Sequence, residues 1–184
     1  MKNIIYFVTV LLLIGCSSDD ANTNKIPNSF SVNGNNFKTD FAYTIPISNE
    51  NPIITRVIFS SADRNTESYT EAIGRFELIR HVSDETLLPG EYSYSTSNSG
   101  LIGEISEILF YKNLEIIDGN TETFPEEIAS TFLPASNFVY GRATINSISF
   151  DSLGIINQIN IDYIFEWDGI KIEGNYNGEV RINP

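Results

Sequence analysis

Residues 159–182 read INIDYIFEW, then DG, then IKIEGNYNGEVRI, and this stretch decides the fold. Apolar side chains occupy every second position before the central Asp168-Gly169 pair and again after it. Strict alternation predicts a strand with one buried face, and an Asp-Gly pair between two such strands is typical of a type I′ hairpin turn. Gly174 and Gly178 fall in the apolar phase, which indicates a bend or the close approach of another element. The sequence therefore predicts a long C-terminal β-hairpin.

Weaker strand signals run through the rest of the chain. The segment 71–80 also fits an amphipathic helix, but Gly74 and the shared phase of Phe76 and Leu78 favour a strand. A short helical turn fits residues 126–131, directly after a proline. Eight or nine antiparallel strands predict a single all-β domain, either a β-sandwich or an up-and-down barrel. Besides the hairpin, β-branched and aromatic residues cluster at 30–32, 41–47, 53–60, 73–82, 92–96, 105–117 and 138–150.

The first residues have the proportions of a cleavable export signal. One basic residue, Lys2, precedes an uncharged apolar run over residues 4–14, and this run is shorter than the roughly 20 residues that span a membrane. It leads into LIGC at 13–16, which resembles the lipobox of bacterial lipoproteins. The resemblance implies cleavage before Cys16 and lipidation of its thiol, with acyl chains of the palmitate kind. The alternative is an ordinary secretory signal with an incidental cysteine.

The residues after the cysteine point to a location. The sequence SSDD at 17–20 resembles the export signal of surface lipoproteins of Bacteroidetes, and its alternative is a flexible polar tether. Short segments at 29–34, 88–92 and 174–178 are similar to small uncharacterised lipoproteins of that phylum with all-β domains. The resemblance implies a lipid anchor in the outer membrane, at the cell surface or on the periplasmic face. The predicted organisation is a signal peptide at 1–15, a lipidated flexible tether at 16–27 and an all-β domain at 28–184.

Charge and composition exclude several classes of function. The 24 acidic residues against 11 basic ones give a net charge of −13, which repels phosphate backbones, so nucleic acid is not an expected partner. Cys16 is the only cysteine, so its lipidation leaves no thiol for a disulfide, a metal site or a nucleophile. No phosphate-binding glycine loop occurs, and no cofactor is expected. His81 is the only histidine, and because nothing near it supplies a nucleophile, an ordinary strand or loop-edge residue is the preferred interpretation.

Carboxylates are the most plentiful side-chain groups that could act in catalysis. Glu166, Glu173 and Glu179 come from the two hairpin strands and are predicted to point to the side opposite the apolar residues. A glycosidase needs two carboxyl groups flanking a sugar bond, so this set supports a polysaccharide hydrolase as an alternative function. A solvated sheet face shared with Lys171 and Arg181 is the preferred explanation.

Two further residues are candidate sites. Trp167 lies at the hairpin tip, where its ring is available to stack on a sugar, although packing in the core explains it as well. The tripeptide DSL at 151–153 resembles the O-glycosylation motif of exported Bacteroidetes proteins, which implies modification of Ser152; the alternative is an unmodified turn.

Two polar loops carry an oxygen ligand at every second position, at 63–67 and at 118–122. This spacing is typical of the first half of a calcium loop of the EF-hand kind, but its sixth position is Ser68 in one loop and Thr123 in the other instead of glycine. Polar surface loops are the preferred interpretation, and no metal ligands are assigned.

Together the tether, the all-β pattern and the sparse catalytic inventory predict a non-enzymatic binding module for a glycan or a surface protein, held on a membrane by its lipid. The alternatives are a carboxylate-based hydrolase and a barrel that carries a small apolar ligand. A cavity lined by aromatic side chains is the expected sign of the last alternative.

Overall fold

The computed structural model describes residues 26–48, 52–80, 87–94, 103–131 and 138–182, and these ranges contain strands and no helix. Accordingly, this part of the chain holds no helix long and apolar enough to cross a membrane. The strands of the described residues are β1 (Ser29–Val32), β2 (Asn35–Lys38), β3 (Phe41–Ser48), β4 (Ile53–Ser60), β5 (Tyr69–Arg80), β6 (Gly90–Tyr94), β7 (Glu104–Ile117), β8 (Asn120–Thr123), β9 (Glu126–Ser130), β10 (Phe138–Phe150), β11 (Ile156–Trp167) and β12 (Ile170–Ile182).

The predicted C-terminal hairpin is confirmed as β11 and β12, whose pairing runs without a register shift from Trp167 opposite Ile170 to Gln158 opposite Glu179. The predicted turn type is wrong. A type I′ turn needs positive φ at both central residues, and here only Gly169 has it, at 76°. Both central residues have positive φ instead in the Asn-Gly turn at 33–34 and the Asp-Gly turn at 118–119.

Eight strands close into a barrel, so the all-β prediction is confirmed and the chain adopts the barrel alternative, although with a strand order that is not up-and-down. The order around the barrel is β11-β10-β6-β7-β5-β4-β3-β12, and β12 pairs with β11 to complete it. Six of these contacts are antiparallel, whereas β12 with β3 and β6 with β7 are parallel. Closure leaves the eight strands without a free edge of their own, which is the usual way a barrel avoids uncontrolled strand pairing.

Four short strands extend the barrel. β1 pairs with the first half of β12 and β2 pairs with β1, while β3 takes the second half of the same edge of β12. Similarly, β9 and β8 pair with the later part of β7, beyond the two residues that pair with β6.

The segment 71–80 is a strand, as predicted. The helical turn considered for 126–131 is wrong, because those residues form β9 along β7.

The interior of the barrel is packed with aromatic rings. Phe59, Phe76 and Phe165 are fully buried, and Tyr163 packs against all three with ring centroids 5.2–5.8 Å apart. Each such side chain contributes about 1.5–3 kcal/mol by leaving water. An eight-stranded barrel has an interior that side chains can fill, and here they fill its middle.

A candidate binding surface on the outer wall of the barrel

The outer wall of the barrel has two unlike halves. On β3, β4, β5 and β7, which we call the covered wall, an apolar cluster faces away from the barrel interior and is nevertheless buried. It comprises Tyr43, Ile58, Ile73, Tyr111 and Leu114. Outward apolar side chains need a cover, and the loop between β4 and β5 supplies part of it.

That loop is fixed to the barrel at both ends. The Tyr43 hydroxyl donates to Asp63 Oδ1 at 3.0 Å and accepts the backbone N–H of Arg64 at 2.8 Å. Arg181 on β12 donates to Asp63 Oδ2 at 2.7 Å, and this hydrogen bond, together with that from the N–H of Asn65, lowers the pKa of Asp63 to about 2. At the far end, the N–H of Gly119 donates to the Glu67 carbonyl at 2.8 Å.

A buried carboxylate lies beneath the same loop. Glu71 is 2% exposed and accepts the Ser60 hydroxyl at 2.6 Å, the Tyr111 hydroxyl at 3.2 Å and Arg64 Nη2 at 3.2 Å. Burial together with this carboxylate raises the pKa of Tyr111. Three donors on one buried carboxylate offset its desolvation, which is the condition for a charge to be tolerated there.

The covered wall continues as an ionic cluster around Arg56. Its Nη2 contacts Glu77 Oε1 at 2.6 Å and Glu107 Oε2 at 2.8 Å, and the Ser106 hydroxyl donates to Glu77 at 3.1 Å. Glu107 has a φ of 45°, close to a register shift in the pairing of β5 with β7, which is the geometry of a β-bulge. These carboxylates contact cations of the wall itself.

On the other half of the outer wall, the outward side chains of β10, β11 and β12 are partly or fully exposed within the described residues, and we call them the polar face. The pairing registers place these side chains in rows across the three strands. Rows are about 7 Å apart and strands about 4.8 Å apart, so the face is a regular grid. Successive rows are Tyr140, Glu166 and Lys171; Arg142, Ile164 and Glu173; Thr144, Asp162 and Asn175; then Ser147, Asn160 and Asn177.

The centre of the polar face is rich in amides and carboxylates. Asn146 donates through Nδ2 to Asn160 Oδ1 at 3.1 Å and to Asp162 Oδ2 at 2.8 Å. A shallow depression of about 150 Å³ lies beside this group, between Arg142, Asp162 and Glu173. Residues 26–28 hydrogen-bond to β12 at 175 and 177, so the open part of the face is centred on β10 and β11.

The three hairpin carboxylates lie on the predicted side, but only two of them are neighbours. Glu173 and Glu179 are six residues apart on β12, which is about 20 Å along a strand and beyond the separation of about 5 to 10 Å that a glycosidase pair needs. Glu166 and Glu173 lie diagonally across β11 and β12, about 7–8 Å apart. Lys171 lies opposite Glu166 and contacts Glu173 at 2.8 Å, so this pair shares a cation.

Trp167 is placed mostly in the core. Its side chain is 8% exposed, its ring packs against Phe138 and Phe165, and its Nε1 donates to the Ser130 carbonyl at 3.2 Å. One edge lines a shallow depression next to Gly169. A ligand contact at Trp167 stays a prediction, and the geometry allows it only through that edge.

Ser152 lies in an exposed turn between β10 and β11. Asp151 Oδ1 accepts the N–H groups of Leu153 at 2.8 Å and Ile155 at 2.9 Å, so the turn is held in one shape while Ser152 faces solvent. Cys16 and His81 lie outside the described residues.

The two polar loops considered for calcium contact each other, since Asp118 N–H donates to the Ser68 hydroxyl at 3.0 Å. Asp63 of the first loop contacts Arg181 and Tyr43. Within the described ranges no group of three or more histidine, cysteine, aspartate or glutamate residues is arranged to hold a metal ion.

The sequence pattern had indicated the outward phase of β11 and β12, but not the contribution of β10. A register shift between Ile145 and Ser147 places Asn146 out of the simple alternation, so the alternation did not predict its outward position.

No protein-family model, curated protein or solved structure matches the chain. The geometry of the outer wall therefore carries the functional argument.

Proposed function

We propose that the protein is a non-enzymatic glycan-binding module, tethered to the outer membrane by lipid on Cys16 and displayed at the cell surface. The single observation that carries this proposal is the polar face. One half of the outer wall is covered by the chain itself, whereas the half formed by β10, β11 and β12 presents an ordered grid of hydrogen-bonding side chains to solvent.

The chemistry of the polar face suits sugar hydroxyls. Asn146 and Asn160 each carry a donor and an acceptor, and the Asp162 carboxylate accepts hydrogen bonds only. Ile164 provides an apolar patch between Arg142 and Glu173, as the less polar side of a sugar ring requires. Because the contacts are spread over a rigid sheet, binding needs little ordering of side chains, which lowers its entropic cost.

An exposed aromatic ring lies at one end of the same face. Tyr140 is 39% exposed and pairs with Glu166 in the first row of the grid. Its ring can stack on a terminal sugar, the role that the sequence suggested for Trp167. Tyr140 is therefore the aromatic contact that we assign to the glycan.

Charge selects among glycans. The polar face carries four carboxylates, Asp162, Glu166, Glu173 and Glu179, against the two cations Arg142 and Lys171, on a chain of net charge −13. Anionic polysaccharides are repelled by such a surface. The expected ligand is a neutral glycan or one that contains amino sugars.

The test uses the chain starting at Ser17, without its lipid, on an array of neutral, cationic and anionic glycans. Binding of one neutral or cationic class is expected, with an affinity reduced about tenfold or more when Asn160→Ala and Asp162→Ala are combined, since each substitution removes about one hydrogen bond. Asn36→Ala, at an exposed position of β2, is the matched control and leaves binding unchanged. The proposal fails if no glycan is bound. It also fails if the variant that combines Asn160→Ala and Asp162→Ala binds the glycan as tightly as the unchanged chain does.

A pull-down from surface extracts with the same variants addresses the second expected class of partner, a surface protein. If a surface protein is retained through the polar face and no glycan is bound, the ligand of this face is a protein and not a glycan. Turnover of a polysaccharide by the soluble chain would instead support the hydrolase alternative.

The exposed turn at 151–154 supports O-glycosylation of Ser152, because its hydroxyl is presented on a fixed backbone away from the polar grid. Intact mass measurement of the protein from its natural host, compared with Ser152→Ala, tests this modification. An unchanged mass would show that Ser152 is not modified.

A further inference from the structure

One mouth of the barrel contains a cleft that the proposed glycan site does not use. The cleft has a volume of about 300 Å³. One of its walls is formed where β3 ends and β4 begins, and the opposite wall by the turn between β10 and β11. In the closed barrel β4 lies opposite β10, and β3 is separated from β11 by β12, so the cleft spans the mouth of the barrel.

The residues of the first wall face the barrel interior. Thr44 pairs with Val57, and Thr55 pairs with Leu78, and both of these partners belong to the main core. Leu87, only 2% exposed, also lines the cleft. The cleft is therefore a continuation of the packed interior toward solvent.

The second wall is apolar. Phe150, Ile155 and Ile156 line it, and Leu153 stands at its lip with 79% of its surface exposed. A large aliphatic side chain left in water at the edge of an apolar cleft favours an apolar occupant, since covering it gains about 25 cal/mol per Å² of buried surface.

Two threonines lie among the lining residues. Thr44 and Thr55 are 6% and 9% exposed, so what remains accessible of them is at the cleft. A hydroxyl at the wall of an apolar cleft offers a hydrogen bond to a polar group of a ligand. None of the described residues that line the cleft is charged.

We propose that this mouth cleft binds an uncharged amphipathic small molecule. Its apolar body is a ring system or an alkyl chain of about ten to fifteen carbon atoms, at the lower end of the sizes for ligand pockets, and it bears one hydroxyl or carbonyl group. The apolar body lies against Phe150 and Ile156, and the polar group bonds to the threonine hydroxyls. An anionic molecule of the same size is disfavoured, because the described residues of the lining offer no cation and the chain is strongly acidic.

The test titrates the chain starting at Ser17 with N-phenyl-1-naphthylamine, an uncharged dye whose emission rises in apolar sites. Saturable binding of one dye per chain is expected. 1-Decanol should displace the dye, and decanoate at pH 8 should do so at least about tenfold less well, because its charge would be buried unpaired.

Two variants test whether the dye binds in the cleft. Leu153→Asp, at the exposed lip, should weaken dye binding about tenfold, whereas Ile117→Asp, a matched exposed position at the far end of β7, should leave it unchanged. Thr55→Val should leave dye binding intact and weaken 1-decanol about fivefold, the effect of one hydrogen bond. Non-saturable dye uptake, equal effects of the two aspartate variants, or equal competition by decanoate would each overturn the proposal. Because the glycan array reports on the polar face alone, either proposal can fail without the other.

Discussion

The ring of Tyr163 lies directly across Gly174 of the neighbouring strand, where the two residues face each other in the pairing of β11 with β12. A Cβ atom at position 174 would overlap the ring and hydroxyl of Tyr163. The glycine in the apolar phase of the hairpin is thus explained by the close approach of an aromatic side chain, one of the two reasons that the sequence had suggested.

Gly174→Ala should lower the free energy of unfolding by about 1–3 kcal/mol, because the packed ring has no space to yield. Urea denaturation of the chain starting at Ser17 measures the loss. Gly178→Ala is the matched control on the same strand, where a Cβ would lie 3.1 Å from the Tyr176 hydroxyl, the end of a side chain that can shift. Equal losses for the two variants would contradict the steric explanation.

Tyr163→Phe should leave the free energy of unfolding unchanged or raise it by about 1 kcal/mol. The Tyr163 hydroxyl is buried and has no hydrogen-bond partner within the described residues, and an unpaired buried hydroxyl costs free energy. Tyr43→Phe should behave oppositely and lose about 1–2 kcal/mol, because it removes bonds to Asp63 and to the N–H of Arg64. A clear loss in Tyr163→Phe would mean that the hydroxyl has a partner in solution.

The contact of Asp63 with Arg181 should make stability depend on acid. The pKa of Asp63 is lowered to about 2 in the folded chain, first by the Arg181 hydrogen bond, from an ordinary value of 3.8. A lowered pKa stabilises the fold fully above the unfolded value, and this stabilisation is lost as the pH falls from about 4 toward 2. The urea midpoint of Asp63→Asn should therefore lie below that of the unchanged chain at pH 6 and approach it near pH 2. Arg181→Gln should show the same pattern, and a difference that stays constant with pH would contradict the assignment.

Cys16→Ser should release the protein from membranes and abolish labelling with palmitate, because the thiol is the proposed site of the anchor. Fractionation of cells that express the full chain measures both. Ser17→Ala, one residue on, is the control and should stay with the membranes. If Cys16→Ser still fractionates with membranes and still labels, the lipoprotein assignment is wrong.

The strongest local patterns predicted most of the strands. Alternation in 159–182 gave both strands of the hairpin with their buried phase, and β5 followed from the phase of Phe76 and Leu78. The turn type was missed because Asp168 does not adopt positive φ. Strands of four or five residues, such as β8 and β9, carry too little periodicity to be read, and their pairing with β7 depends on distant residues.

The sequence predicted part of the polar face but did not predict the covered wall. The outward phase of the hairpin was visible, but the sequence does not show that β10 lies beside β11 and completes the grid, since that pairing links separate parts of the chain. The sequence of β4 contains a pattern that indicates the covered wall, but it was not used to predict it. β4 reads IITRVIFS, with apolar residues in both phases, and such runs are typical of strands buried on both sides.

The shared edge of β12 also has a consequence for the order of folding. β1 pairs with β2 and β3 pairs with β4, but β1 and β3 also hydrogen-bond to β12, so these two contacts need residues 170–182. Such distant pairings make closure slow, because a long stretch of chain must be ordered before these contacts form. A chain built in this way can complete its barrel only after β12 has been synthesised.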